Sequence, residues 1–72
     1  MTYECWWDKQ YGDQYAVRLE NGRVTGWHKL SAGEEATAET VPRLAYDGEP
    51  GNIAFLEAIR SHAEVLLSVE VR

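Results

Sequence analysis

The feature that most constrains the fold is the dipeptide Asn21-Gly22, which separates two alternating runs of residues, QYAVRLE and RVTGWHKL. A two-residue type I′ turn needs positive φ at both central positions, and Asn followed by Gly tolerates this conformation best. The sequence therefore predicts a β-hairpin over residues 14–30. Because a two-residue turn also sets the strand register, it predicts which side chains share a face of the sheet.

Counting outward from the turn places Leu19 opposite Val24 and Ala16 opposite Trp27. Directly opposed residues lie on one face of an antiparallel pair. The more apolar face is predicted to be the core face, and it carries Tyr15, Val17, Leu19, Val24, Gly26, His28 and Leu30. The other face carries Ala16, Arg18, Glu20, Arg23, Thr25 and Trp27.

Two further strands are predicted from alternation near the ends of the chain. Residues 2–8 place Tyr3, Cys5 and Trp7 on the core face and Trp6 on the opposite face. A one-residue slip of this strand would exchange Trp6 for Trp7. Residues 65–71 alternate and are rich in β-branched side chains, which is typical of a strand.

Residues 31–63, between the hairpin and the last strand, are predicted to form helices and loops. Ser31 and Glu34 match a capping box and predict a short helix near residues 33–40, which Pro42 ends. Residues 43–46 are predicted to be extended, and residues 47–51 to form a loop of turn residues. Asn52 is predicted to cap a helix over about residues 53–63, where apolar side chains recur at helical spacing. Phe55 and His62 are predicted to widen this apolar stripe, with His62 in the last turn of the helix.

Together these elements predict an α+β fold. A three-stranded antiparallel meander is followed by a helix and a fourth strand (β-β-β-α-β), with one helix packed on one sheet face. A helix between two strands usually makes a right-handed crossover with parallel strands, so the fourth strand is predicted to run parallel to the third. It can then lie beside the first strand in the spatial order 3-2-1-4, one of several solutions. Residues 1–72 are assigned to a single domain.

Composition narrows the classes of function. The chain has 12 acidic and 7 basic residues and a net charge of −5, which disfavours nucleic-acid binding. The acidic residues are scattered, which is most typical of a solvated surface, and a basic protein partner is the remaining interpretation. Self-association as a dimer is a further prediction, through the aromatic residues described below. The single cysteine has no disulfide partner, and no paired Cys or His spacing points to a bound metal or cofactor. No signal peptide or membrane-spanning apolar run is present. We expect a cytoplasmic protein, and the length is typical of a stand-alone bacterial or phage protein.

No residue set carries a recognisable catalytic motif, so the chain is predicted not to be an enzyme. Cys5 and His28 share the predicted core face with Tyr15. These three residues define the alternative hypothesis, a small ligand-binding domain or enzyme with a pocket near Tyr15, His28 and Cys5. The simpler interpretation is that Cys5 packs inertly and that His28 is a partly buried, hydrogen-bonded residue.

The dense aromatic content provides the main functional hypothesis. Trp6, Arg18 and Trp27, beside Ala16, are predicted to form one aromatic sheet face, and Trp and Arg are enriched at interface hot spots. The sequence thus predicts a small soluble protein-interaction module, such as an adaptor, inhibitor or regulator, that binds through this face. Three alternatives remain open. The chain around residues 44–46 covers the face as a second small core, the two Trp side chains stack across the strands, or the face binds a flat ligand.

Overall fold

The computed structural model describes residues 1–46, 48 and 50–72, so Asp47 and Glu49 of the predicted loop lie outside the described residues. The elements are β1 (Thr2–Asp8), β2 (Asp13–Glu20), β3 (Arg23–Lys29), α1 (Thr40–Tyr46), α2 (Ile53–Arg60) and β4 (Glu64–Glu70). The four strands form one sheet in the order β3-β2-β1-β4. The predicted α+β class, the antiparallel meander and the strand order are confirmed.

The predicted hairpin turn is also confirmed. Asn21 has φ 53° and Gly22 has φ 78°, so both central residues adopt the positive φ that a type I′ turn requires. Glu20 pairs with Arg23 and Leu19 with Val24, as the two-residue turn predicts.

The predicted register fails beyond Leu19 because β3 contains a bulge. Arg18 pairs with Gly26 and Val17 with Trp27, so Thr25 is an extra residue on β3. Trp27 therefore lies on the face of Val17 rather than on the face of Ala16, and the prediction for this half of β3 is wrong. The same shift moves His28 to the face of Ala16, because these two residues form a pair.

The sheet is covered by a helix on each face. On one face, α2 packs on β1–β3 through a cluster of seven buried residues: Trp6, Tyr15, Val17, Leu19, Val24, Leu56 and Ile59. On the other face, α1 packs through a second cluster: Tyr3, Cys5, Ala16, Val41 and Ala45. The predicted helix on one face is present as α2, and α1 adds a third layer that the sequence interpretation did not contain.

The predicted assignment of β1 side chains to the two faces of the sheet is wrong by one residue; this assignment is called the parity of β1. Trp6 pairs with Tyr15 and is 1% exposed beneath α2, whereas Trp7 pairs with Gln14 and is half-buried. Cys5 pairs with Ala16 and belongs to the α1 side. The alternation itself holds, but it could not show which of two apolar faces receives the larger helix.

The short helix predicted near residues 33–40 is absent, and α1 occupies the segment predicted to be extended. Thr40 donates a short hydrogen bond to the Glu35 carbonyl, and the Thr37 backbone N–H donates to Thr40 Oγ1 over 2.8 Å. Pro42 lies in the first turn of α1, where its missing N–H removes no helical hydrogen bond. Pro42 therefore starts a helix instead of ending one.

Strand β4 runs antiparallel to β1, which contradicts the predicted parallel orientation relative to β3. That prediction assumed one connecting helix. The connection instead holds two short helices on opposite faces, so β4 starts at the end of the sheet where β3 finishes. Neither helix among the described residues is long and apolar enough to cross a membrane.

Helix α2 begins at the predicted residue but is shorter than predicted. It ends at Arg60 rather than near residue 63. Asn52 occupies the N-cap position, as predicted, and its carbonyl accepts the Phe55 and Leu56 N–H groups, but with φ 55° its side chain makes no capping hydrogen bond. At the other end of α2, the Arg60 Nη1 donates to the Gly22 carbonyl over 2.8 Å and attaches the helix to the hairpin turn.

Candidate functional site

The three residues predicted to bind a partner do not form one exposed surface. Trp6 and Trp27 lie on the same face, as predicted, but Trp6 is buried under α2. Arg18 lies on the opposite face, where α1 packs. The common surface of Trp6, Arg18 and Trp27 is therefore a wrong prediction, and the alternative of a second small core that contains Leu44 is confirmed.

Arg18 joins three structural elements. Its Nε donates to Thr25 Oγ1 over 2.9 Å and its Nη2 to the Thr25 carbonyl over 2.7 Å. Its Nη1 donates to the Tyr46 carbonyl at the end of α1, over 3.0 Å. A Cβ atom at Gly26 would lie 2.8 Å from the guanidinium, so glycine at this position gives Arg18 its space.

Trp6 makes a cation–π contact with Arg60 of α2. The guanidinium carbon of Arg60 lies 5.6 Å from the centroid of the Trp6 ring. Trp6 Nε1 also donates to Glu4 Oε1 over 2.8 Å. These contacts satisfy the indole within the fold, so Trp6 is part of the core.

Tyr15, Trp27 and Phe55 form a group of mutually contacting rings, here called the aromatic triad. The ring centroids are 5.9 Å apart for Tyr15 and Trp27, 6.2 Å for Tyr15 and Phe55, and 6.0 Å for Trp27 and Phe55. All three pairs are tilted or edge-to-face, which is the preferred geometry for aromatic rings. Tyr15 is buried, whereas Phe55 is 51% exposed. The triad therefore extends from the core to the surface.

A pocket of about 420 Å³ opens beside the triad. Its apolar walls come from Tyr11, Tyr15, Phe55 and Ile59, and it lies between the β1–β2 connection and α2. Tyr11, at 73% exposed, is the most exposed of these aromatic side chains. Small-molecule and side-chain pockets are commonly of this size and are lined by apolar and aromatic groups.

The rim of the pocket carries four ionisable side chains: Asp8, Asp13, Lys29 and His62. Asp8 is 2% exposed, and its Oδ1 accepts a hydrogen bond from the Gln10 backbone N–H over 3.0 Å. His62 Nε2 lies 3.3 Å from the same oxygen. Lys29 Nζ lies 3.7 Å from Asp13 Oδ2.

Two aspartates of the rim occupy paired backbone positions, so their side chains start on the same face of the sheet. Asp8 and Asp13 are the last cross-strand pair of β1 and β2, and the tight connection is closed by the Gly12 N–H donating to the Asp8 carbonyl over 2.7 Å. Burial raises the pKa of Tyr15, and the negative charges of Asp13 and Asp8 raise it further. The pocket therefore has a negative potential at the Tyr15 hydroxyl.

The sequence contained part of the signal for this site. Asp8 and Asp13 enclose residues 9–12, which include Tyr11, and Gly12 followed by Asp13 is typical of a turn. Phe55 was predicted to widen the buried stripe of the helix, but it is exposed because Leu56 and Ile59 are the residues that α2 buries. His62 was placed in the last turn of a helix, and it instead follows α2 and reaches Asp8.

The alternative pocket predicted near Tyr15, His28 and Cys5 does not form. Cys5 on β1 and His28 on β3 both pair with Ala16 on the central strand β2. Two strand spacings, about 10 Å, therefore separate their backbones. Tyr15 lies on the other face of the sheet. Cys5 is 0% exposed, and burial raises the pKa of its thiol, which disfavours the nucleophilic thiolate.

His28 has a structural contact with the loop that follows β3. Its Nε2 lies 2.8 Å from Glu34 Oε1, and the same oxygen accepts the Ser31 backbone N–H over 2.7 Å. Glu34 thus reaches back to Ser31 as in the predicted capping box, although no helix follows.

The pKa of Glu34 is lowered from its ordinary value of 4.5, first by the Ser31 N–H and then by His28. A carboxyl with a lowered pKa in the folded state adds stability above its unfolded pKa and loses it as the pH falls. We expect the contact between residues 31–34 and β3 to weaken as the pH falls below about 4.5. An NMR carboxyl titration should give a Glu34 midpoint below 4.5, and a midpoint at or above 4.5 would contradict the contact.

Among the residues that the structure describes, no three His, Cys, Asp or Glu side chains are grouped as metal ligands would be. Comparisons of the chain with protein-family models, with curated proteins and with solved structures find no significant match. The candidate site therefore depends on the pocket geometry alone.

Proposed function

We propose that this chain is a small cytoplasmic protein-interaction module, an adaptor, inhibitor or regulator, that docks a basic partner in the pocket beside the aromatic triad. The observation that carries the proposal is that Phe55 and Tyr11 are exposed and line a pocket whose buried wall includes Tyr15. The proposal keeps the aromatic binding surface predicted from the sequence and moves it from Trp6 and Arg18 to Tyr11 and Phe55.

The triad gives the docking surface a fixed shape. Phe55 contacts both other rings, and Trp27 Nε1 donates to the Gly51 carbonyl over 2.6 Å, which ties the rings to the segment before α2. Aromatic side chains held in this way lose little conformational entropy when a partner binds. Large exposed rings beside a pocket are also the residue type and setting in which interface hot spots occur.

The charge of the chain favours a basic partner. The net charge is −5, and complementary charge speeds association and suppresses wrong partners. The carboxylates of Asp8 and Asp13 place part of this negative charge at the pocket. These observations support a positively charged protein segment as the occupant.

A peptide selection tests the proposal. Peptides are selected from a random library on the wild-type protein and then measured against Phe55→Ala, which we expect to weaken binding at least about 10-fold. Because Phe55 is half exposed, its replacement should lower the free energy of unfolding by only about 1 kcal/mol. Circular dichroism should show a folded variant.

Leu66→Ala is the matched control. Leu66 is 48% exposed, much like Phe55, but it lies on β4 at the far edge of the sheet from β3. We expect this control to bind selected peptides as the wild type does. Peptides that bind wild type and Phe55→Ala equally, or that lose affinity only with Leu66→Ala, would contradict the proposal.

A further inference from the structure

We propose that the pocket receives one cationic head group, the ammonium or guanidinium of a partner side chain, between the rings of Tyr11, Tyr15 and Phe55 and the carboxylates of Asp8 and Asp13. This inference rests on the proposed function and specifies the chemistry of the docked group. It draws on three features of the described residues. These are the like-charge pair of Asp8 and Asp13, the aromatic rings that line the pocket, and the exposed ammonium of Lys29.

The like-charge pair of Asp8 and Asp13 favours a positively charged ligand in the pocket. Carboxylates that lie directly opposite in an antiparallel pair repel each other, and Asp8 and Asp13 occupy such positions at the end of the β1–β2 ladder. Asp8 is also buried, which adds a desolvation cost to its charge. Asp8 already accepts the Gln10 N–H and contacts His62, so a positively charged ligand acts mainly on the more exposed Asp13 and reduces the repulsion within the pair.

The aromatic rings that line the pocket also favour a positively charged ligand. The faces of aromatic rings attract cations, and quaternary ammonium groups are bound in aromatic cages in this way. Tyr15 and Phe55 meet edge-to-face at 73°, so the two rings present differently oriented surfaces to the pocket. A neutral apolar group of equal size would contact the rings but gain nothing from Asp8 and Asp13.

Two internal groups contact the carboxylates of the rim, and Lys29 is the one that a ligand cation replaces. The side chain of Lys29 is 56% exposed and its ammonium lies 3.7 Å from Asp13. His62 is 44% exposed and contacts Asp8 over 3.3 Å. Exposed ion pairs contribute little free energy, so exchanging Lys29 for a ligand cation that also contacts the rings is favourable.

The test compares two probes of the same shape. Choline and 3,3-dimethylbutan-1-ol differ in a nitrogen or carbon centre, so they separate charge from apolar contact. We expect choline to bind at least about 10-fold more tightly, with the ring signals of Tyr15 and Phe55 shifting in NMR titrations. Added salt should weaken choline binding and leave the alcohol unchanged.

Two variants move the affinity in opposite directions. Asp13→Asn should lower choline affinity about 5-fold or more, because it removes one carboxylate. Lys29→Met keeps both carboxylates, removes the competing cation and should raise choline affinity at least about 2-fold. Lys29 is exposed, so this variant is expected to fold if Asp13→Asn does not.

A peptide experiment distinguishes a Lys or Arg side chain of a partner from a free small cation as the natural ligand. Peptides from the library selection should contain a Lys or Arg whose replacement by Met lowers affinity at least about 10-fold. Equal binding of choline and the alcohol, or no binding of choline, would overturn the cation inference. The proposed function would survive that result if peptide binding still depended on Phe55, and it would fail separately if it did not.

Discussion

Trp6→Ala is expected to bring the protein close to unfolding in the absence of denaturant. Trp6 is the largest fully buried side chain, and truncating a buried Trp to Ala costs about 3–5 kcal/mol. A 72-residue domain has a total free energy of unfolding of about 4–11 kcal/mol, so this loss is a large part of it. Urea unfolding followed by circular dichroism measures the change.

Trp7→Ala is the matched control, because Trp7 is the neighbouring residue of the same type. It is half-buried, so we expect a loss of about 1–2 kcal/mol, clearly smaller than that for Trp6→Ala. The comparison also tests the parity of β1. A larger loss for Trp7→Ala would mean that β1 presents the face predicted from the sequence, with Trp7 in the main core.

Ala45→Lys is expected to detach α1 from the sheet. Ala45 is 0% exposed and packs in the cluster that contains Tyr3, Cys5 and Ala16. A lysine there adds volume to a closed layer and buries an ammonium, which together cost about 3 kcal/mol or more. Urea unfolding should show a lower midpoint, and the Cys5 thiol should react faster with a thiol reagent in the folded protein.

Arg43→Lys provides the control for this variant, since it places lysine at an exposed position of the same helix. Its free energy of unfolding should stay within about 0.5 kcal/mol of the wild type. If Ala45→Lys matched this control in both stability and Cys5 reactivity, the second layer would not be packed as the structure has it.

The parts of the fold that were predictable depend on local signals. Asn21-Gly22 determined the turn because few residue pairs tolerate positive φ twice. The alternation in residues 2–8 and 65–71 marked two strands, and the meander order followed from short connections. These signals need no knowledge of distant residues.

The bulge at Thr25 was only partly predictable, because Gly26 on β3 is typical either of a bulge or of space left for a neighbouring side chain, and the sequence did not decide between them. Arg18 holds Thr25 and also the Tyr46 carbonyl, which lies in a helix that the sequence did not indicate. A single inserted residue then exchanged the faces of Trp27 and His28. The error in the predicted binding surface follows from this bulge and from the parity of β1.

The candidate site was only partly predictable for a similar reason. The sequence interpretation proposed aromatic residues as the binding feature, and one of them, Trp27, belongs to the aromatic triad. Helical spacing placed Phe55 and Leu56 side by side, but the docking angle of α2 determined that Leu56 is buried and Phe55 exposed. The contact of His62 with Asp8 depends on where α2 ends, which is the least predictable property of a helix.

The most direct test of the account is to map a selected peptide on the wild-type protein by backbone amide NMR. The account predicts that the largest shift changes occur at Tyr11, Asp13, Phe55 and His62, which surround the pocket. Changes concentrated on the α1 side, at Arg18, Thr25 and Tyr46, would contradict it.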